Sequence, residues 1–146
     1  MQPLNFSTYQ FRFKSRENKP TIFDVVRKKF IVLTPEEWVR QNTIHYLINE
    51  LQVPLSLINV EKQIKLHKTI KRYDIIVYNS DGSILLIVEC KAPKIKIAQD
   101  TFDQIARYNF VLNATYLMVT NGLEHYFCQM DFKKEQYTFL EKLPFG

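Results

Sequence analysis

Glycine is nearly missing from this chain, with three in 146 residues. None belongs to a Gly-rich loop ending in Lys-Ser/Thr, so no Walker-type phosphate cradle is expected within these residues. Cysteine is as scarce. Cys90 and Cys128 lie far apart, with no paired Cys or His motif of the zinc-binding kind, so neither a disulfide framework nor a zinc site is suggested. No apolar run approaches the length of a membrane span. The amino terminus lacks the basic-then-apolar pattern of a secretory signal, and there is no internal repeat or low-complexity segment. The expectation is a soluble, cytoplasmic protein with no membrane partner.

What is present points to one folded domain. Hydrophobic residues make up 46% and aromatics 14% of the chain, too much for a disordered segment. A chain of 146 residues buries roughly two thirds of its unfolded surface. The net charge of +5 and pI near 9.2 suit a nucleic-acid partner, although many ordinary proteins are this basic.

The informative stretch is Lys71-Arg72-Tyr73-Asp74-Ile75-Ile76-Val77-Tyr78, then Asn79-Ser80-Asp81-Gly82, then Ser83-Ile84-Leu85-Leu86-Ile87-Val88-Glu89-Cys90-Lys91. Two runs rich in β-branched and aromatic residues around an Asn/Ser/Asp/Gly cluster predict a β-hairpin. A turn centred on Ser80-Asp81 sets Asp74 opposite Ile87. Side chains alternate along a strand, so Asp74, Glu89 and Lys91 are expected on one face, with the two carboxylates diagonal neighbours on the order of 7 Å apart. One divalent cation can span that gap. The continuous apolar run Ile84–Val88 reads as a strand buried on both faces, so the charges that end it need partners. A plain Glu89–Lys91 ion pair is the simpler alternative.

Around the hairpin, Leu4–Leu33 reads as short strands, with Tyr9–Phe13 alternating and Ser15–Pro20 a turn. Arg27-Lys28-Lys29 is a basic triplet, either a solvated charge run or a face for phosphates. Thr34-Pro35-Glu36-Glu37 predicts a helix start, with Thr34 as N-cap, for a helix reaching about Leu51. Its inward stripe is Ile44, Leu47, Ile48 and Leu51. Glu37 falls near that stripe, as the acid of a capping box or as a group contacting metal-bound water. Ile58–His67 reads as a strand pairing with Lys71–Tyr78, and a helix is expected from about Ala98 to Asn113. Phe102, Ile105, Ala106, Asn109 and Leu112 would pack inward, leaving Asp100, Gln104 and Tyr108 as a separate stripe. Thr115–Thr120 is an apolar strand, Asn121-Gly122 a turn, Leu123–Met130 its hairpin partner, and Tyr137–Leu140 an edge strand. Because the second helix crosses over between two strands, those strands should be parallel. The fold class is α/β: a mixed sheet flanked by helices (αβββαβ) with extra N-terminal strands. As one domain, it divides into a β extension at 1–33, a core at 34–131 and a C-terminal strand or tail at 132–146.

Arg72-Tyr73-Asp74, Val88-Glu89-Cys90-Lys91-Ala92-Pro93, Gln104-x-x-x-Tyr108-Asn109 and Thr120-Asn121-Gly122 together resemble the PD-(D/E)-x-K nuclease superfamily. With Leu33-Thr34-Pro35-Glu36-Glu37-Trp38-Val39-Arg40-Gln41 in front, the sequence looks like the amino-terminal nuclease domain of the type I restriction endonuclease R subunit, over about Phe23 to Asp131. Tyr73 stands where the superfamily name has proline, a position that does no chemistry. The resemblance implies a restriction-endonuclease-like fold and a Mg²⁺-dependent DNA endonuclease, with Mn²⁺ as a substitute, acting in restriction, defence or repair. Asp74 and Glu89 match its metal-binding carboxylates, the Cys90 main-chain carbonyl a further ligand, and Lys91 the catalytic lysine. Glu37 matches an acid reaching the metal through water, and Gln104 a catalytic-motif residue. Tyr108 and Arg40 would support these groups, and Arg72 and Lys94 would contact nucleic acid. DNA is the implied partner; a protein supplying specificity and a homodimer are both compatible with it. The alternatives are a DNA-binding or assembly module that keeps the fold without turnover, and a structural protein in which Asp74, Glu89 and Lys91 form only a buried ion network.

Overall fold

The computed structural model describes residues 1–145. Three short strands, β1 (Phe13–Arg16), β2 (Lys19–Asp24) and β3 (Lys29–Val32), form an antiparallel sheet ahead of helix α1 (Pro35–Asn49). Strands β4 (Ile58–Leu66), β5 (Thr69–Tyr78) and β6 (Ile84–Cys90), helix α2 (Gln99–Asn109), and strands β7 (Tyr116–Thr120), β8 (His125–Asp131) and β9 (Gln136–Leu140) follow. The last six strands make one sheet in the order β4-β5-β6-β7-β8-β9, so spatial order equals sequence order. The β6–β7 pair is parallel because α2 carries the chain back across the sheet between them. The expected αβββαβ core is present, with β8 and β9 added at its far edge.

The two helices lie on opposite faces. Val39, Ile44 and Leu47 of α1 pack with Ile75, Val77, Leu86, Val88 and Cys90, while Phe102 and Ala106 of α2 pack with Tyr73, Ile76, Ile87, Leu117 and Val119. A central strand covered on both sides buries successive positions, here Leu86, Ile87 and Val88, which is why β6 reads as a continuous apolar run rather than an alternation. No helix among the described residues is long and apolar enough to cross a membrane.

Three expectations are corrected. Only the end of Tyr9–Phe13 is strand, for the aromatic alternation there reports ring packing on α1: Phe11 lies 4.5 Å from His45 and 5.0 Å from Trp38, centroid to centroid. Helix α1 stops at Asn49, its Glu50 N–H closing on the Tyr46 carbonyl, and α2 ends at Asn109 in a 3₁₀ turn over Phe110–Leu112. The third concerns register. The β5–β6 turn is closed by Asn79 N–H on the Ser83 carbonyl, with Gly82 at φ +90°, a three-residue loop with its glycine in the left-handed region. A further shift at Val77/Tyr78 pairs Ile76 with Ile87 and Ile75 with Val88. Continued by one residue, that register puts Asp74 across from Glu89, two positions beyond the Ile87 expected from a turn centred on Ser80-Asp81.

Candidate active site

The ladder between β5 and β6 ends at Ile75 and Val88, while β6 stays paired with β7 through Cys90 and Thr120. Beyond that point β5 and β6 part, and the fork between them is where the chain places its charges. Tyr73 packs in the α2-side core and Ile75 in the α1-side core, so strict alternation along β5 breaks at Asp74. Across on β4, Glu61 adopts φ +57°, a conformation costly for a non-glycine residue in a strand. The Asp74 carboxylate is consequently not one more side chain standing off a regular sheet. Its Oδ2 accepts the Cys90 N–H at 2.8 Å, filling the place a β5 carbonyl would take in a continued ladder.

The Lys91 N–H donates to the Thr120 carbonyl of β7. Main-chain groups of successive strand residues point to opposite neighbours, so both the N–H and the C=O of Cys90 point to the β5 side, into the fork. Burial pushes the Cys90 thiol well above its ordinary range, leaving its main chain as the useful group. Val88 and Cys90 belong to the α1-side core, so Glu89 between them faces the α2 side. The Lys91 Nζ lies 3.6 Å from Glu89 Oε1. Burial, then the charge of Asp74, raises the Glu89 carboxyl above its ordinary value, against the pull of Lys91 and Lys71. Asp74 and Glu89 thus meet as cross-strand neighbours whose side chains reach the fork from different sides, not by sharing one face of a regular ladder.

Arg40, 4% exposed, is the cation that α1 brings to this point. Its Nη1 donates to Glu37 Oε1 at 2.6 Å and its Nη2 to Asp74 Oδ1 at 2.7 Å; Nη2 also lies 2.7 Å from Glu61 Oε1 and 3.4 Å from Glu36 Oε2. Burial alone would lower the guanidinium's pKa, but the bond to Asp74 and the charge of Glu37 hold it above its usual value. Burial and the Asp74 charge raise the Glu36 carboxyl.

Glu37 supplies the N–H half of the expected capping box. Thr34 Oγ1 caps its N–H at 3.0 Å, yet the Glu37 carboxylate is occupied by Arg40, by Arg27 Nη2 at 3.1 Å and by Gln41 Nε2 at 3.0 Å. Arg40 stands between it and Asp74, so Glu37 acts on the fork through the guanidinium rather than through a water. Arg27 and Gln41 also bind the fully buried Asp24, at 2.8 and 2.9 Å. One residue of the basic triplet is therefore a structural tie between the small sheet and α1, while Lys28 and Lys29 are exposed.

The remaining expected residues fall at the margins. Arg72 is largely exposed and 3.4 Å from Glu61 Oε2; Lys94 is exposed on the loop after β6. Asn121 pins that loop by donating to the Ile95 carbonyl at 2.8 Å, which gives Thr120-Asn121-Gly122 a positional role. Gln104 and Tyr108 do not line the fork itself: with Lys71 and Tyr73 they line a groove on the α2 side. Glu61 and Lys71 are the residues the sequence reading missed. Glu61 was recoverable once β4 was paired with β5, since Asn59↔Ile76 carries it to Asp74. No local charge pattern marks Lys71, whose neighbours are Tyr73 on its own strand, Tyr108 of α2 and Glu89 of β6.

The donors facing the fork are all oxygen, from two carboxylates and a main-chain carbonyl, the set that suits Mg²⁺ or Mn²⁺ rather than zinc. Each Asp74 oxygen keeps a lone pair beyond the one it has committed. Among the described residues, no group of three or more His, Cys, Asp or Glu side chains is arranged to hold a metal ion by itself. A hard cation there would be completed by water and by a ligand's oxygens.

Comparison with known proteins adds the following. The family model for the type I restriction enzyme R protein N terminus matches residues 35–144. A solved fragment assigned to the HsdR subunit of a type I restriction enzyme from Vibrio vulnificus YJ016 is similar at TM-score 0.48 and 18% identity, over 73% of this chain and 23% of that one. The chain spans less than a quarter of that relative's length. Among curated proteins, none matches.

Proposed function

The chain belongs to the family of type I restriction enzyme R protein N termini, and from that premise we propose that it is a metal-dependent DNA endonuclease domain that works with the other subunits of a restriction complex. The observation that supports this reading is the β5–β6 fork, where Asp74 accepts the Cys90 N–H and Lys91 lies 3.6 Å from Glu89 at the end of a buried strand. Asp74, Glu89 and the Cys90 carbonyl would hold Mg²⁺ or Mn²⁺. When bound, the ion would neutralise charge building on the phosphate and lower the pKa of attacking water. The Lys91 ammonium, 3.6 Å from Glu89, would orient the attacking water and the phosphate oxygens. Arg40 fixes the Asp74 carboxylate from behind, and Glu37, held by Arg27 and Gln41, fixes Arg40 in turn. Arg72 and Lys94, both exposed, would supply charge to flanking phosphates without reading sequence.

Incubation with plasmid, linear and single-stranded DNA in Mg²⁺, Mn²⁺ or EDTA tests this. Cleavage should require the divalent ion, vanish in Asp74→Ala and Glu89→Ala, and fall by orders of magnitude in a folded Lys91→Ala. Asp74-independent cleavage would refute it. A second reading, an assembly module without turnover, is favoured by one feature, the engagement of both Asp74 oxygens by Arg40 and Cys90. DNA binding with no cleavage under any metal would select it.

A further inference from the structure

On the α2 side of the fork lies a groove of about 530 Å³ between α2 and the β4–β5 hairpin. Its working residues are Lys71, Tyr73, Gln104, Arg107, Tyr108 and Val111, and no carboxylate lines it. Lys71 Nζ sits 3.9 Å from the centroid of the Tyr108 ring and 5.0 Å from that of Tyr73. Burial lowers the Lys71 ammonium, offset in part by Glu89, the fork carboxylate it faces along with Asp74 and Lys91. Asp103, one turn earlier on α2, is turned away to Tyr137. The rim is apolar and open: Tyr108 is 55% and Val111 63% exposed. At the floor the Tyr73 hydroxyl is buried without a hydrogen-bond partner in a side chain 1% exposed. A buried hydroxyl so placed costs free energy unless something reaches it.

Two cations, a half-exposed aromatic ring with one of them against it, and an orphan hydroxyl match one class of ligand. We propose that this groove is a subsite for one unpaired nucleotide of the DNA strand entering the fork, its phosphate taken by Lys71 and Arg107 and its base laid against Tyr108 and Val111. The volume suits one nucleotide and not a duplex. Lys71, held between two rings, is already positioned, so little side-chain freedom is lost on binding. The proposal rests on the nuclease reading and specifies the strand form its site accepts.

The test uses the whole chain in EDTA, so that binding is read without cleavage. Fluorescence anisotropy compares a labelled oligothymidylate, the same backbone carrying abasic sites, and a blunt duplex. Tyr108→Leu should weaken the oligothymidylate about tenfold and the abasic strand little, because the base is what stacks. Lys71→Met and Arg107→Met should weaken both single strands and each reduce the salt slope by about 0.7, whereas Lys71→Arg should restore affinity. Tyr108→Phe should bind as wild type. Thermal melts identify any variant that fails to fold, and the Arg and Phe replacements then carry the comparison. Wild-type affinity and salt slope in folded Lys71→Met and Tyr108→Leu would overturn the subsite, as would equal loss on duplex and single strand. Separately, cleavage by Asp74→Ala at the wild-type rate in Mg²⁺ would overturn the underlying function.

Discussion

Arg40→Met isolates the guanidinium that joins α1 to the fork. The side chain is 5% exposed, and its partners Glu37 and Asp74 are 6% and 14% exposed, so solvent screens these two pairs little; Glu36, at 50%, adds almost nothing. Removing one member of a buried pair costs about 3–5 kcal/mol because the other charge stays behind. Here the survivors keep partial partners: Glu37 retains Arg27 and Gln41, and Asp74 retains the Cys90 N–H. The loss should therefore fall near the lower end, about 3 kcal/mol, which in a chain of this size lowers Tm by about 10 °C. Methionine preserves the buried stem, so little of the effect is packing. Circular dichroism melts at neutral pH without metal read it directly. Arg40→Lys should lose about half as much, since one ammonium cannot bridge Glu37 and Asp74 with fork geometry. In a double-mutant cycle Arg40→Met and Asp74→Asn should couple by about 1 kcal/mol or more. A folded Arg40→Met melting within about 2 °C of wild type, with no coupling to Asp74, would refute the argument that this guanidinium holds the fork carboxylate.

Glu89→Gln should stabilise the metal-free protein at neutral pH while abolishing cleavage. A carboxyl raised above its ordinary 4.5 makes the folded state bind its proton more tightly, so stability is lost as pH rises from 4.5 through the folded value; the gain from Gln must vanish below that window in a pH series of melts. Asp24→Asn should do the reverse. Burial would raise the Asp24 carboxyl, but the Arg27 and Gln41 bonds outweigh it and lower it, so its contribution is present above 3.8 and lost as pH falls through the folded value; the variant's deficit at neutral pH should close in acid urea titrations. Gly122→Ala should cost about 1–2 kcal/mol by denaturant titration, because φ is +86° and the new Cβ would meet Leu4 Cδ2 at 2.8 Å.

Local signals carried much of this molecule. Thr34-Pro35 starts α1 because a hydroxyl and a pre-set φ act within a few residues, and the apolar run of β6 announces a strand covered on both faces wherever that strand lies. The crossover through α2 then requires β6 and β7 to be parallel. Asp74, Glu89 and Lys91 were legible as a group because a hairpin brings its own arms together. The manner of their meeting was not. It depends on where the ladder stops, on a three-residue loop and a register shift at Val77/Tyr78, and on a Glu61 backbone conformation that no propensity favours. Arg40 reads from sequence as an ordinary helix residue; only when α1 lies on the sheet does it become the shared partner of Glu37, Glu61 and Asp74. Glu37 and Lys71 were settled the same way, one captured by arginines from two elements and the other laid against a ring from α2. Periodicity and capping are interactions between near neighbours in the chain, so sequence determines them, whereas a charge finds its partner across elements, and that choice exists only once the elements have packed.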